Sequence, residues 1–183
     1  MGISDTTWIA GLLLVAILVS AIGTLTVLTK PTGLVTTQTV TTNATVAQTV
    51  VIALPTDSIN FGNINVGQSA NTTANLPPPF HVRNDGNVNI NISLNSTPLW
   101  TRQQVTSAFY QFQCGDEGGT VCPEGSIAAY TPMLVNGAAT PVIANMSWTG
   151  GIDVLEVEIL ITAPLDEPAG AKSAIVAFTG SAA

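Results

Sequence analysis

The sequence predicts a mainly β protein: an immunoglobulin-like antiparallel β-sandwich preceded by a single hydrophobic α-helix. One long uncharged apolar run lies near the start of the chain, and beyond residue 30 apolar residues alternate with a period of two rather than at helical spacing. Clusters of Gly, Pro, Asn and Asp separate these short runs. We therefore divide the chain into a hydrophobic N-terminal helix at 1–30, a Thr-rich extended linker or first strand at 31–48, and a β-sandwich domain at 49–183.

The apolar run extends from Trp8 to Leu28 and carries no charge, since the flanking charges are Asp5 and Lys30. Twelve of its 21 residues are Leu, Ile or Val, which sums to roughly −5 kcal/mol on an insertion scale. As a helix it would be about 32 Å long, close to the ~30 Å thickness of the hydrocarbon layer. The run is predicted to cross a membrane once.

A cleaved secretory signal is the main alternative for this run, because Val19-Ser20-Ala21 resembles a cleavage site. No Lys or Arg precedes the run, however, and its hydrophobicity continues to Leu28, so we favour retention. Considered alone, Lys30 would favour placing the C-terminal end of the apolar run inside the cell. The cysteine pair and the glycosylation sequons described below favour an outward β domain instead.

The Thr- and Val-rich residues that follow Pro31 are β-branched and disfavour helix. They are consistent with an extended stalk, a first strand or a disordered linker, and strand is favoured from Val46 onward. Pro77-Pro78-Pro79 cannot lie in a central strand because proline has no N–H for the ladder. This triplet predicts a crossing between sheets or a sheet edge.

Two stretches show the clearest strand pattern. Val88, Ile90, Ile92 and Leu94 alternate with Asn and Ser residues, which predicts a half-buried strand. In the second, apolar residues at 155, 157, 159 and 161 share one face, and Glu156 and Glu158 occupy the other.

A third, final strand is predicted at 173–179, and it would form a hairpin with the strand at 152–162. Residues 101–112 fit either a short helix or a strand.

Charge is scarce: 8% of the residues are charged, with four Lys plus Arg against eleven Asp plus Glu, for a net charge of −7. Such a surface repels phosphate backbones, which argues against nucleic-acid binding.

Cys114 and Cys122 are the two cysteines, and in an oxidising compartment their spacing predicts one disulfide. On the chain-entropy estimate, closing so short a loop raises the free energy of unfolding by ~2.6 kcal/mol. With a single histidine the chain offers few soft ligands, so neither a metal site nor a cofactor is expected. A calcium ion ringed by Asp116, Glu117 and Glu124 is the less favoured alternative.

The chain carries five N-x-S/T sequons, which are candidate N-glycosylation sites. Their asparagines are Asn43, Asn71, Asn91, Asn95 and Asn145. The strand alternation at 88–94 places Asn91 and Asn95 on the wet face, where a glycan could be tolerated.

Catalytic signatures are weak. The single histidine, His81, lies in a predicted strand, where such a residue is usually a surface or interface residue. Glu156 and Glu158 could act as paired carboxylates, but alternating acids on a strand are usually ordinary solvated surface. No P-loop, GxGxxG or HExxH motif is present, so the chain is not expected to be an enzyme. Aromatic residues of the middle third are expected to fill the core rather than form a ligand surface; they are Trp100, Tyr110, Phe112, Tyr130 and Trp148.

The order of Gly2-Ile3, Asp5 and the apolar run at 8–28 resembles archaeal type IV pilins and archaellins. Gly2-Ile3 is similar to the junction that prepilin-type peptidases cut, although Asp5 would then be third rather than fifth in the processed chain. The resemblance implies a filament with bundled helices at its core and sandwiches outside. Independently, Ala16, Ser20 and Gly23 form a strip of small residues along which helices could pack closely.

These observations predict a structural subunit of an extracellular surface filament, assembled through its N-terminal helix with other copies of itself. The helix would lie in the membrane before assembly, and glycans are possible partners. The alternative is a single-pass membrane-anchored sandwich that acts as an adhesin or binding module.

Overall fold

The computed structural model describes residues 41–101, 106–135 and 137–183. Residues Val46–Ala183 form a compact unit that carries the named strands. They are β1 (Ile52–Thr56), β2 (Ser69–Asn71), β3 (Phe80–Asn84), β4 (Ile90–Ser96), β5 (Thr106–Gly115), β6 (Thr131–Leu134), β7 (Thr140–Met146), β8 (Val154–Thr162) and β9 (Val176–Ala182).

The prediction of a mainly β, antiparallel protein is confirmed, because every pair of named strands is antiparallel. The helix predicted at 1–30, with its packing residues Ala16, Ser20 and Gly23, lies outside the described residues. Within the described ranges, no helix has the length and hydropathy needed to cross a bilayer.

The strands form two sheets. The larger has the order β1-β3-β8-β5-β6, and β2 pairs with the part of β8 that extends beyond β3. The smaller has the order β7-β4-β9. Both sheets contribute to one hydrophobic core.

The predicted apolar faces supply that core. Ile90, Ile92 and Leu94 of β4 are fully buried, and so is Val157 of β8. Phe80 of β3 and Phe178 of β9 meet edge to face, with ring centroids 5.5 Å apart, and so connect the two sheets. Period-two alternation therefore identified the correct inward faces of both strands.

The predicted hairpin of the last two strands is wrong. β8 pairs with β2 and β3 along one edge and with β5 along the other, so no edge of β8 is left for β9. β9 pairs instead with β4 in the smaller sheet. The connecting residues 163–175 therefore pass from one sheet to the other.

The first strand begins at Ile52 rather than at Val46. Just before it, the backbone still pairs with the turn after β3: Asp85 N–H donates to Val51 O at 3.0 Å, and Asn87 N–H donates to Thr49 O at 3.1 Å. Gly86 permits this approach, since a Cβ there would lie 2.2 Å from Thr49 O. Of the segment predicted as linker or strand at 31–48, residues 41–48 are described, and they are exposed and outside any strand.

Two further sequence predictions can be compared with the strands. Residues 106–112, where the pattern fitted helix or strand, belong to β5. Pro77-Pro78-Pro79 lies between β2 and β3, outside both strands, as its missing donors predicted.

Candidate functional site

An acidic cleft of about 500 Å³ opens on the face of the larger sheet that points away from the core. Four carboxylates contribute to it, from Asp116, Glu117, Glu156 and Glu158. We define the acidic cleft by its lining residues, which are Thr73, Asn75, residues 113–118, Cys122, Ala128, Glu156 and Glu158.

Burial of Glu156 and Glu158 contradicts the expectation that they are ordinary solvated surface. They are 6% and 7% exposed, although they point away from the core on alternate positions of β8. The walls of the cleft reduce their exposure: the chain after β2 supplies Thr73 and Asn75, and the loop after β5 supplies residues 116–118. Burying two carboxylates is unfavourable unless each finds partners.

Glu158 is held by three donors on a single oxygen. Gln113 Nε2 donates to Glu158 Oε2 at 2.7 Å, Thr73 Oγ1 at 2.9 Å and the Tyr130 hydroxyl at 3.1 Å. Partial burial raises the pKa of Tyr130, and the adjacent Glu158 raises it further, so Tyr130 stays protonated and keeps donating. These bonds satisfy the buried oxygen of Glu158.

Glu156 has a different environment. His81 on β3 lies opposite it in the strand register, with His81 Nε2 at 3.3 Å from Glu156 Oε1 and 3.5 Å from Glu117 Oε2. Burial raises the pKa of Glu156 to about 7, with further contributions from Glu117, Glu158 and Asp116. Burial and the neighbouring carboxylates therefore favour the protonated form of Glu156.

The loop that carries Glu117 has local reasons for its shape. Glu117 and Thr120 exchange backbone hydrogen bonds of 3.0 and 2.7 Å around Gly118 and Gly119, whose φ angles are +56° and +91°. Two successive positive φ values occur in type I′ turns, which favour glycine. The Cys114–Cys122 disulfide closes the loop, as predicted.

Two contacts fix the loop against the sheet. Cys122 N–H donates to Asp116 Oδ1 at 2.8 Å. At the end of β5, a Cβ on Gly115 would lie 2.9 Å from Glu158 Cγ and Oε1, so only glycine lets the two chain segments approach this closely. The loop and the buried carboxylates thus depend on each other's positions.

The three acids of the less favoured calcium alternative do not converge on one point. Asp116 accepts from the Cys122 backbone, Glu117 faces His81, and Glu124 is exposed and outside the lining of the cleft. Among the described residues, the group that brings potential ligand atoms together is His81, Glu117 and Glu156. The sequence offered no reason to pair His81 with Glu156, because they are 75 positions apart and only the β3–β8 register brings them together.

Three of the predicted core aromatics are buried as expected: Trp100, Tyr110 and Phe112. Tyr130 is partly exposed and donates to Glu158, and Trp148 is 49% exposed.

The sequon asparagines differ in exposure. Asn43, Asn71 and Asn145 are exposed. Asn91 and Asn95 are half-buried: Asn145 N–H donates to Asn91 Oδ1 at 2.9 Å, and Asn95 Nδ2 donates to Gly137 O at 3.4 Å. Exposure thus favours the first three as glycosylation candidates. Glycosylation itself stays a prediction.

Replacing both Cys114 and Cys122 by Ser should lower the free energy of unfolding by about 2.6 kcal/mol, because the unfolded chain regains the freedom of the short loop. Urea unfolding measures this loss. Treating the unsubstituted chain with dithiothreitol should produce the same shift in midpoint, which separates loop closure from any effect of the serines. Equal midpoints for oxidised and reduced protein would contradict the account.

Comparisons with known proteins add little to this geometry. No protein-family model matches the chain, and no curated protein matches it. Among solved structures, the chain is similar to the P pilus rod subunit PapA, with a TM-score of 0.37 and 15% sequence identity over 79% of this chain and 100% of that chain. A likeness this low supports no argument about function.

Proposed function

We propose that the chain is a structural subunit of an extracellular surface filament, assembled through its apolar N-terminal segment. The observation that carries the proposal is the uncharged run at 8–28, of bilayer-spanning length, joined to a disulfide-closed β domain. The apolar segment would be held in the membrane before assembly and among neighbouring copies afterwards. The disulfide supports an oxidising location for the β domain.

For the β domain we infer an immunoglobulin-like sandwich. Its support is the repeated passage of the chain between the two sheets, from β3 to β4, back to β5, and again around β7. Such crossings are typical of Greek-key sandwiches.

The partners we propose are other copies of this chain. We propose no enzymatic role for it. The strip of Ala16, Ser20 and Gly23 would let neighbouring helices approach closely. The net charge of −7 argues against nucleic acid as a partner. Glycans attached at the exposed sequons would face the medium.

A second candidate function is that of a membrane-anchored adhesin or binding module, and the acidic cleft favours it. A polar concavity of about 500 Å³ is large enough for a small ligand. The two functions differ in the environment of residues 8–28, which would contact other copies in a filament and lipid in an anchor.

Electron microscopy of fibres sheared from producing cells tests the filament, with mass spectrometry to identify the chain. We expect the chain to be a major component of the fibres. Gly23→Leu should abolish fibres while leaving the chain in the membrane, because the larger side chain blocks close packing but keeps the run apolar. Leu18→Ile is the matched control and should still form fibres. Recovery of the unsubstituted chain only as a monomer in detergent extracts would contradict assembly and favour the anchored module.

A further inference from the structure

Three side chains from separate parts of the fold direct ligating atoms toward one point. His81 is on β3, Glu156 is on β8, and Glu117 is in the turn after β5. One ligand atom from each lies within 4.8 Å of the other two.

The charges at this point are unbalanced. Arg83 and Lys172 are the only Lys or Arg residues that the structure describes, and they pair with Asp85 and Glu167. Beside the acidic cleft, His81 is therefore the sole basic side chain that the described residues supply to Glu117 and Glu156. Buried carboxylates need a positive partner to stay ionised.

The lack of a positive partner is clearest for Glu156. It is 6% exposed, and one of its oxygens faces His81 Nε2. Its other neighbour in the acidic cleft is a second carboxyl group, that of Glu117, with which it shares a hydrogen bond. A buried carboxyl group that faces both a second carboxylate and an imidazole nitrogen is an arrangement that a cation completes.

The spacing and the chemical type of the ligand atoms fit one class of cation best. The two distances from His81 Nε2 are 3.3 and 3.5 Å. Ligands about 2.1 Å from a tetrahedral ion lie about 3.4 Å apart, whereas those of octahedral Mg²⁺ at a similar bond length lie about 3.0 Å apart. Imidazole is a common ligand of zinc, and calcium prefers oxygen ligands throughout.

We propose that His81, Glu117 and Glu156 bind a divalent transition-metal ion of the zinc class in the acidic cleft. Three protein ligands leave one tetrahedral position for water on the side of the cleft. The ion would join the disulfide-closed loop to β3 and β8, and so fix the outer wall of the cleft. The inference departs from the expectation of no metal site, which counted histidines and cysteines without the buried glutamates.

The surroundings of His81 support this role. Its Nδ1 shares a 2.7 Å hydrogen bond with Thr56 Oγ1 on β1. When Nδ1 carries the proton, this bond orients the ring and leaves the Nε2 lone pair facing the two carboxylates. Without a proton or an ion between them, these acceptor atoms would repel each other.

Isothermal titration of the full chain in detergent with ZnCl₂ tests the site, after treatment with a chelator. We expect one ion per chain and a rise in melting temperature of about 5 °C at saturating zinc. Glu117→Gln should weaken binding at least tenfold, while Glu124→Gln, a glutamate outside the cleft, should not change it. Mg²⁺ and Ca²⁺ should bind at least tenfold more weakly than Zn²⁺.

A spectroscopic readout separates metal ligation from folding. Co²⁺ in the site should give the strong visible absorption of a four-coordinate ion, and Glu117→Gln and His81→Gln should each remove it. Each variant is first compared with the unsubstituted chain by metal-free melting, so that loss of fold is distinguished from loss of a ligand.

The proposal is overturned if zinc does not bind, or if it binds equally well to Glu117→Gln and His81→Gln variants that melt normally. Calcium or magnesium binding as tight as that of zinc would overturn the assignment to the zinc class.

Discussion

Replacing Phe112 by Ala should lower the free energy of unfolding by about 4 kcal/mol, because it removes a buried aromatic ring and leaves a cavity. Phe112 is the largest of the fully buried side chains among the described residues. It lies on β5, opposite Ile159 of the central strand β8, so neighbouring strands cannot easily collapse into the space. Urea unfolding followed by circular dichroism measures the change.

Phe109→Ala is the matched control, since Phe109 lies on the same strand and is 45% exposed. Its loss should cost less than about 1 kcal/mol. Equal costs for the two substitutions would mean that the inward face of β5 is assigned wrongly.

Replacing Glu167 by Gln should cost about 3 kcal/mol near neutral pH, through loss of a buried ionic hydrogen-bond cluster. Glu167 is 8% exposed and lies in the connection between β8 and β9. Lys172 Nζ lies 2.6 Å from its Oε1, and Thr101 donates from its backbone N–H at 3.0 Å and from its hydroxyl at 2.6 Å. The cluster fastens the connection between β8 and β9 to Thr101, in the connection between β4 and β5.

The stability that Glu167 contributes should also depend on pH. Burial alone would raise the pKa of Glu167, but the hydrogen bonds from Lys172 and Thr101 outweigh it and lower the pKa from 4.5 to about 2. A lowered pKa means that the stabilisation is complete above pH 4.5 and is lost as the pH falls toward 2. The difference in the free energy of unfolding between the unsubstituted chain and Glu167→Gln should therefore shrink as the pH falls from 4.5 toward 2.

Denaturant unfolding of both proteins between pH 7 and pH 2 measures this convergence. Glu124→Gln, at an exposed glutamate, should follow the unsubstituted chain throughout. A difference between Glu167→Gln and the unsubstituted chain that stays constant down to pH 2 would show that the carboxylate is not ionised in the folded protein.

The sequence predicted which faces are buried, and it could not predict which strands pair. Alternation at 88–94 and 155–161 correctly placed the apolar residues in the core, because the side-chain period of a strand is fixed by its backbone. Pairing depends on which sheet edges remain free, and this is a property of the whole fold. The hairpin predicted for the last two strands failed for that reason, since β8 is already paired on both edges.

The candidate site was predicted only in pieces. The disulfide followed from the spacing of Cys114 and Cys122 and from the inferred oxidising compartment. The burial of Glu156 and Glu158 could not be predicted from the sequence, because the alternation of β8 shows only that they face away from the core. They are covered by Thr73, by Asn75 and by the loop after β5, all of which are far away in sequence. A single histidine opposite a glutamate becomes informative only once the strand register is known.

N-terminal sequencing of the native protein isolated from cells tests the central claim most directly. The account predicts a mature chain that keeps residues 8–28, with Ile3 as its first residue if the junction after Gly2 is cut. A mature chain that begins beyond Ala21 would contradict the account, because neither a filament core nor a membrane anchor could then be built from this segment.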